Sequence, residues 1–445
     1  MVNTNVPFEL LIKIILNTFK FTNSKEIQNL GQRKDQMYPK LANHVVLRSL
    51  EHPVLYDFAN DELYELEDDE YQWVRYFTGY SSLNQLLSQF NKPREGFLGF
   101  LDELKKEGLI ELKDEKASEI PFYSVDQSTL PSLRTLLLHV TTKCNIQCLH
   151  CYLDKSSPIE LDMQVLLETV LQFDQMQGLK LLVSGGEPLL HSKIFEFLEN
   201  IREYKTRKIL LSNGLLIDKE TAERIKGLVH EVQISIDGIK SHDRFRDMKG
   251  AFERSIAAIK MLQSFGIRVS VATMVHKENI KELPELEQIL KDMNIESWML
   301  DAPSPSGDFL DNLDLQASVE DAAKALKEYG WGYTFEDSSN IYACGAHLAA
   351  IMSNGDVAKC GFFEDNPVGN INRDPLLSCW EQIKDNWIWG LDALNCRELD
   401  CPHLADCKGG CRFRAFQYSK NLMGEDPVKC GIYGFKSSHF FQKTD

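Results

Sequence analysis

The sequence lacks three features, and each absence argues against one class of protein. No run of about 18 uninterrupted apolar residues occurs, because the most apolar N-terminal stretch, Val6 to Phe19, is broken by Glu9, Lys13 and Asn17; a membrane span is therefore not expected. No small-residue cleavage site follows that stretch, so we expect a cytoplasmic protein without a secretory signal. Basic residues are not in excess: 49 Lys and Arg stand against 66 Asp and Glu, and the net charge of -17 argues against a nucleic-acid partner.

Eleven cysteines are the outstanding feature of this chain of 445 residues, which is long enough for two or three domains. An odd count without a secretion signal argues against a disulfide framework and for metal ligation or redox chemistry. Cys144, Cys148 and Cys151 lie together, and the other eight lie between Cys344 and Cys430. The sequence therefore predicts one central site and one C-terminal metal-binding region, with a cysteine-free scaffold between them.

The central part of the chain, residues 130–310, alternates between strand and helix patterns. The candidate strands are Leu136–Val140, Lys180–Val183, Lys208–Leu211, Val232–Ile236, Arg268–Met274 and Glu296–Leu300. Six βα units predict an α/β fold with a parallel sheet, curved as a partial (β/α)6 barrel. In such folds the chemistry lies at the carboxyl ends of the strands. The cysteine triplet, Ser184–Pro188, Ser212–Gly214 and Asp237 all fall there.

Residues 36–118 are predicted to form a small domain of three strands and three helices. The strands are expected at 44–49, 53–58 and 62–66. Asp68 or Asp69 is expected to cap the first helix, and Glu95–Glu107 forms the third, with Gly108 as its stop. Residues 1–35 are predicted to be an amphipathic helix and a linker, to which no role is assigned.

Three cysteines on the loop after the first barrel strand suit an iron-sulfur cluster. Three thiolates leave one iron of a four-iron cluster without a protein ligand. A zinc site or three buried thiols are the alternatives, but structural zinc sites use four ligands and no fourth cysteine lies near.

The run Cys144-Asn145-Ile146-Gln147-Cys148-Leu149-His150-Cys151-Tyr152 resembles the signature of the radical S-adenosylmethionine (SAM) superfamily, and Gly185-Gly186-Glu187-Pro188 is similar to its second motif. The resemblance implies a [4Fe-4S] cluster whose free iron is chelated by SAM. It further implies reductive cleavage of SAM to a 5'-deoxyadenosyl radical that takes a hydrogen atom from the substrate, with flavodoxin or ferredoxin as electron donor.

The same resemblance implies a set of SAM contacts. Gly185, Gly186 and Glu187 would hold the amino group, and Tyr152 would lie near the adenine. Further implied contacts to SAM, including its ribose and carboxylate, come from Ser212, Asn213, Ser235 and Arg246. The charges suit a zwitterion, since Glu187 and Arg246 complement an ammonium and a carboxylate. A tight turn at the two glycines and a surface salt bridge at Arg246 are the alternatives.

Residues 311–445 resemble a bridging region and a SPASM extension, which carries two auxiliary iron-sulfur clusters in radical enzymes that modify peptides. The resemblance rests on Gly355 five residues before Cys360, on Gly409-Gly410 before Cys411, and on the final Cys430. It implies two ligand sets: Cys396, Cys401, Cys407 and Cys430 for one cluster, and Cys344, Cys360 and Cys411 for the other.

The C-terminal pattern departs from the family in one spacing, and it also leaves one cluster a ligand short. Four residues rather than two separate Cys396 from Cys401, and the second cluster lacks a fourth cysteine. Its open iron would meet substrate or take another ligand such as His347. Cys379 is predicted to be a core thiol, and a zinc ribbon is the alternative for the whole region.

The N-terminal domain resembles the PqqD-like RiPP recognition element, which binds the leader of a ribosomally made precursor peptide. The strand at 62–66 would accept the leader by β-augmentation, packed against the helix Glu95–Glu107. A structural or dimerising domain is the alternative.

Taken together, the resemblances imply a radical SAM/SPASM peptide maturase that forms an intramolecular thioether or carbon-carbon crosslink. A peptide epimerase or decarboxylase, or a sulfatase-maturase-like oxidase, is the second hypothesis. A peptide-binding carrier without catalysis is the third.

Overall fold

We describe the protein from a computed structural model, which covers residues 36–90, 94–153, 157–332 and 341–435. The helix and linker predicted at residues 1–35 lie outside the described residues. Among the residues described, no helix combines the length and the apolar character that a membrane crossing requires.

The N-terminal part contains five strands and three helices. They are β1 (Tyr38–Leu41), β2 (Val45–Ser49), β3 (Pro53–Asp57), β4 (Glu62–Glu65), α1 (Asp68–Val74), α2 (Leu83–Phe90), α3 (Arg94–Lys106) and β5 (Ile110–Lys113). The chain divides into two compact units at this point. The smaller comprises the described residues up to Asn43 together with 66–124, and the larger comprises 44–65 and the chain from Val125 onward.

The smaller unit holds β1, β5 and the three helices. β1 pairs antiparallel with β5, from Tyr38 opposite Lys113 to Leu41 opposite Ile110. Helix α1 begins with a capping box in which Glu67 is the N-cap and Glu70 returns a hydrogen bond, so the cap lies one residue before the predicted Asp68. Trp73 packs edge to face on Phe97, whose side chain is buried. The strands β1 and β5 are additional to the three predicted.

The three predicted strands form the antiparallel sheet β2-β3-β4, which belongs to the larger unit. Leu50, Val54 and Tyr56 of this sheet pack with Leu179, which precedes a barrel strand. Arg48 donates a 2.7 Å hydrogen bond to Asp174. Apolar packing and a partly buried ion pair therefore fix this sheet in the larger unit. The sequence pattern had instead predicted that these strands form one domain with the three helices.

The central sheet confirms the predicted parallel α/β core. Its parallel strands are β6 (Thr135–His139), β7 (Lys180–Ser184), β8 (Arg207–Ser212), β9 (Glu231–Ser235), β10 (Arg268–Met274) and β11 (Trp298–Asp301). They lie in chain order, each within two residues of its predicted bounds at either end. Three unpredicted strands extend the sheet beyond β6: β12 (Leu348–Ile351), parallel to β6, and the antiparallel β13 (Asp356–Ala358) and β14 (Gly369–Asn370).

Helices between the strands cover this sheet. They are α4 (Met163–Gln175), α5 (Ile194–Asn200), α6 (Lys219–Ile225), α7 (Ser241–Phe245), α8 (Ala251–Ser264) and α9 (Leu283–Asp292). Side chains from both layers form one buried core, for example Leu136 and Leu138 of β6 with Val170 and Phe173 of α4. Asp162 caps α4 by accepting from the amide of Gln164.

The C-terminal part is built from short helices and loops. The helices are α10 (Val319–Glu328), α11 (Leu376–Trp387), α12 (Asn395–Glu398), α13 (Leu404–Cys407), α14 (Arg412–Ser419) and α15 (Pro427–Ile432). Cys379 lies on α11 and is 2% exposed, within the same core as the barrel strands. Its burial agrees with the predicted core thiol.

Candidate active site

A cavity of about 520 Å³ lies at the carboxyl ends of the parallel strands, and we call it the central cavity. It gathers most of the residues predicted for the central site. These are Cys144, Cys148, Cys151, Tyr152, Gly185, Gly186, Ser212, Asn213, Ser235 and Arg246. Segments separated by up to about a hundred residues therefore meet in one place, as the positions of the strand ends predicted.

The two glycines after β7 let the loop that carries the cysteines approach closely. A Cβ atom on Gly185 would lie 2.3 Å from the carbonyl oxygen of Thr141, and one on Gly186 would lie 2.3 Å from that of Lys143. The φ angle of Gly185 is +137°, which side chains rarely permit. Glycine is needed here because the backbone of the cysteine loop occupies the space of a side chain.

Glu187 is fully buried, and its carboxylate is held by groups of the protein. It accepts hydrogen bonds from the Ser212 hydroxyl at 3.0 Å and from the Asn213 amide at 2.9 Å. Burial raises the pKa of Glu187 to about 7, against the opposing effect of these donors. Glu187 is not among the residues that line the central cavity, so its direct contact with the SAM amino group stays a prediction.

Arg246 forms a buried ion pair that the sequence did not reveal. Its Nε donates to Asp237 at 2.5 Å, and its Nη1 lies 3.6 Å from the sulfur of Cys148. Burial alone would raise the pKa of Asp237, but the Arg246 guanidinium and further donors lower it to about 2. Asp237 follows strand β9, so its position at a strand end was the available signal, while its partner was not visible.

Tyr152 joins the cysteine loop to the C-terminal part of the larger unit. Its ring lies 5.0 Å from that of Phe362, and its hydroxyl lies 3.3 Å from Nε2 of His139. Burial lowers the pKa of His139 to about 4, so this imidazole is neutral at pH 7. Tyr152 is therefore fixed on one side of the central cavity by packing and a polar contact.

The assignment of the C-terminal cysteines to two ligand sets stays a prediction, and several of these cysteines shift one another's pKa values. Burial raises the pKa values of Cys360 and Cys411. Cys411 adds to the shift at Cys360, and Cys344 adds to the shift at Cys411. Cys344 and Cys411 line a separate cavity of about 420 Å³, the C-terminal cavity.

The second proposed ligand set is Cys396, Cys401, Cys407 and Cys430. Burial and the neighbouring cysteines raise the pKa values of Cys396, Cys407 and Cys430, and Cys401 contributes to the first two of these shifts. His347 lines the C-terminal cavity with Cys344, and its Nδ1 lies 2.8 Å from the carbonyl oxygen of Ser132.

The donor chemistry fits iron-sulfur clusters. All eleven cysteines are free thiols, including the three in the wall of the central cavity. In the described part of the chain, no three Cys, His, Asp or Glu side chains converge on one metal position. Thiolates are the donors that bind the separate irons of such a cluster, so the cysteines at the central cavity fit it by their chemistry.

Comparison with known proteins agrees with this geometry. The sequence model of the radical SAM superfamily matches residues 138–290, which run from the end of β6 into α9. The chain is 24% identical over 343 residues to the AdoMet-dependent heme synthase of Nitratidesulfovibrio vulgaris, covering 67% of this chain and 92% of that protein.

Two further similarities cover more of the chain. It is 26% identical over 429 residues to the antilisterial bacteriocin subtilosin biosynthesis protein AlbA of Bacillus subtilis, covering 87% of this chain and 94% of that protein. The crystal structure of Streptococcus suis SuiB bound to precursor peptide SuiA superposes with a TM-score of 0.65 at 16% identity, covering 88% of this chain and 99% of that one. Residues 138–290 therefore form a radical SAM domain, and the protein is an enzyme.

Proposed function

We propose that this enzyme modifies a ribosomally synthesised precursor peptide and forms an intramolecular thioether or carbon-carbon crosslink. The observation that carries the proposal is the central cavity, where the cysteine triplet faces the glycine turn and the buried pair of Arg246 and Asp237. In this proposal Cys144, Cys148 and Cys151 hold a [4Fe-4S] cluster, which together with SAM supplies radical chemistry when bound.

The residues of the chain position SAM and exclude water. Arg246 offers a guanidinium to a carboxylate, and the nearby Asp237 holds it in place. Ser212 and Asn213 are oriented by the Glu187 carboxylate, so Glu187 acts on the cavity through them. Ser235 and Tyr152 complete the proposed ribose and adenine contacts.

Two auxiliary clusters are proposed for the C-terminal region, as in a SPASM domain. The pKa shifts that the cysteines cause in one another support two ligand sets. One set is Cys344, Cys360 and Cys411, and the other is Cys396, Cys401, Cys407 and Cys430. A crosslink is a net oxidation, so an auxiliary cluster would receive the electron left over. A flavodoxin or ferredoxin is the proposed source of the reducing electron.

The extent of the similarities favours a peptide over a porphyrin as substrate. The heme synthase match covers 67% of this chain, whereas the matches to AlbA and to SuiB cover 87% and 88%. An epimerase, a decarboxylase or a sulfatase-maturase-like oxidase acting on peptide is the second candidate. The structure of anSMEcpe with bound AdoMet and Cp18Cys peptide has a similar fold, with a TM-score of 0.52 at 20% identity, and this fold is compatible with the second candidate.

The leader of the precursor is proposed to bind a recognition element in the N-terminal region. β4 is an outer strand of its sheet, and no described strand pairs with its far side. Backbone groups on such an edge can accept an added strand. Hydrogen exchange of the full-length chain with and without the precursor peptide should show new protection at residues 62–65, and unchanged exchange there would contradict this site.

The activity test uses the anaerobically reconstituted full-length protein with dithionite, SAM and the precursor encoded by a neighbouring open reading frame. We expect 5'-deoxyadenosine and a peptide lighter by two hydrogens. Replacing all three of Cys144, Cys148 and Cys151 by Ala should abolish both products. Cys379→Ala is the matched control and should keep them, because this thiol lies in the core. An unchanged peptide together with altered coproporphyrin would overturn the proposal.

A further inference from the structure

A second and larger cavity opens beside the central one, and we call it the outer cavity. Its volume is about 940 Å³. It shares Cys148, Tyr152, Leu153, Ser306 and Phe362 with the lining of the central cavity. Anything seated in the outer cavity therefore lies directly against the proposed radical-generating site.

In the part of the outer cavity that the described residues line, every charged side chain is a carboxylate. Three segments distant in the sequence contribute carboxylates. They are Asp247 after α7, Asp308 and Asp311 from the 3-10 helix Gly307–Leu315, and Glu364 and Asp365 after Cys360. Among the described lining residues none is Lys, Arg or His. Asp247, Asp308, Asp311 and Asp365 are exposed, so their charges face the space that a substrate would enter.

The same cavity has an apolar floor. Phe362 and Phe413 stack with ring centroids 5.2 Å apart, and Phe363 meets Phe413 edge to face at 5.3 Å. Leu310 is 55% exposed and Phe416 is 37% exposed, so apolar surface is accessible to a ligand there. Carboxylates at the rim and apolar surface beneath them together suit a side chain with an apolar stem and a cationic end.

Lys and Arg carry an aliphatic stem that packs on apolar surface and a cationic head that pairs with carboxylates. Aromatic rings add attraction for the same cations. A Glu or Asp side chain would instead meet like charges, which opposes binding. We infer that the outer cavity selects a cationic segment of the substrate peptide, with Lys or Arg flanking the residues to be modified. This inference rests on the proposed function and specifies the substrate class.

Binding to the reconstituted full-length protein tests the inference without turnover. The probes are three fluorescent twelve-residue peptides of Gly, Ser and one Trp, containing three Lys, three Glu or three Gln. We expect the Lys peptide to bind about tenfold or more tightly than the Glu peptide at low salt, with the preference shrinking as salt screens the charges.

The variant D311N/D365N should weaken the Lys peptide about three- to tenfold and leave the Gln peptide within twofold of wild type. The matched control E223Q/E253Q neutralises two exposed carboxylates on α6 and α8, outside the cavity, and should change neither. This control distinguishes an effect of the cavity carboxylates from an effect of the overall net charge of -17. Equal binding of the Lys and Glu peptides, or equal loss in both variants, would overturn the inference.

Measuring 5'-deoxyadenosine on the same samples keeps the two proposals distinguishable. A protein that cleaves SAM but shows no preference for the Lys peptide contradicts the cationic-substrate inference alone. A protein that prefers the Lys peptide but yields no 5'-deoxyadenosine contradicts the proposed activity alone.

Discussion

At the scale of single residues, the sequence motifs predicted which side chains face the central cavity. Cysteine spacing and paired glycines are local, so they can be read directly from the chain. The hydrogen-bond partners of these side chains could not be read from the sequence. Asp237 and Arg246, for example, are brought together only because helix α7 folds between them. The orientation of Glu187 was hidden for the same reason, since the Ser212 hydroxyl that donates to its carboxylate lies 25 residues further on.

The buried pair of Asp237 and Arg246 gives a first prediction. Asp237→Asn keeps the shape but leaves the guanidinium without a counter-charge, and breaking such a pair costs about 3–5 kcal/mol. We expect that loss in the free energy of unfolding, measured anaerobically by denaturant titration, together with weaker SAM binding.

Glu278→Gln is the control, because the pair of Glu278 and Arg244 is largely exposed and such pairs contribute about 0–1 kcal/mol. A loss below about 1 kcal/mol in the free energy of unfolding of Asp237→Asn would contradict the prediction, because it would show that water solvates the Arg246 guanidinium in place of the carboxylate.

At the scale of elements, the predicted strands of the central sheet were correct because apolar residues mark each of them, continuously in β6 and β7 and in alternation with polar residues in β9 and β10. β12, β13 and β14 were missed for a physical reason. β12 is Leu-Ala-Ala-Ile, without the repeated β-branched residues that mark a strand, and it forms only because β6 offers an edge. β1 and β5 are four residues each and pair across about 70 residues, so neither has a local signal.

The contact between the sheet β2-β3-β4 and the strands β8 and β9 gives a pH prediction. His230 packs edge to face on Phe58, and its Nδ1 accepts from the amide of Lys208 at 2.9 Å. Burial, with Lys208, Arg207 and Arg268 nearby, lowers the pKa of His230 to about 3. Below pH 6.5 the His230 imidazole binds a proton in the unfolded chain but not in the folded chain.

Stability contributed by His230 is therefore complete above about pH 6.5 and is lost as the pH falls toward 3. Between pH 7 and pH 5 the loss is about 1–2 kcal/mol. His230→Asn keeps an acceptor for the Lys208 amide without a titrating group, so its stability should fall less over this range than that of wild type. Thermal unfolding at both pH values measures this, with the exposed His52→Asn as control; parallel pH curves for wild type and His230→Asn would contradict it.

At the scale of the whole molecule, the three groups of cysteines make a prediction about iron. The three proposed clusters, each taken as [4Fe-4S], would hold roughly twelve irons per chain. Replacing Cys144, Cys148 and Cys151 by Ala should remove about a third of the iron and leave the auxiliary signals in electron paramagnetic resonance spectra.

Single variants then separate the two auxiliary sets. Cys411→Ala should perturb one auxiliary signal and Cys407→Ala the other, while Cys379→Ala should leave the iron content unchanged. Loss of all iron in the triplet variant, or the same spectral change in both single variants, would contradict separate sites.

The pairing of β12 with β6 also has a consequence for biosynthesis. β6 ends at His139 and its second neighbour begins at Leu348, so some two hundred residues must be made before that edge is covered. At about 10 residues per second, the ribosome leaves this apolar strand open on one side for roughly 20 seconds. An uncovered edge of this kind can pair with other chains. Slow expression at low temperature or chaperone co-expression should therefore improve the yield of intact protein, and truncation before residue 348 should lower it.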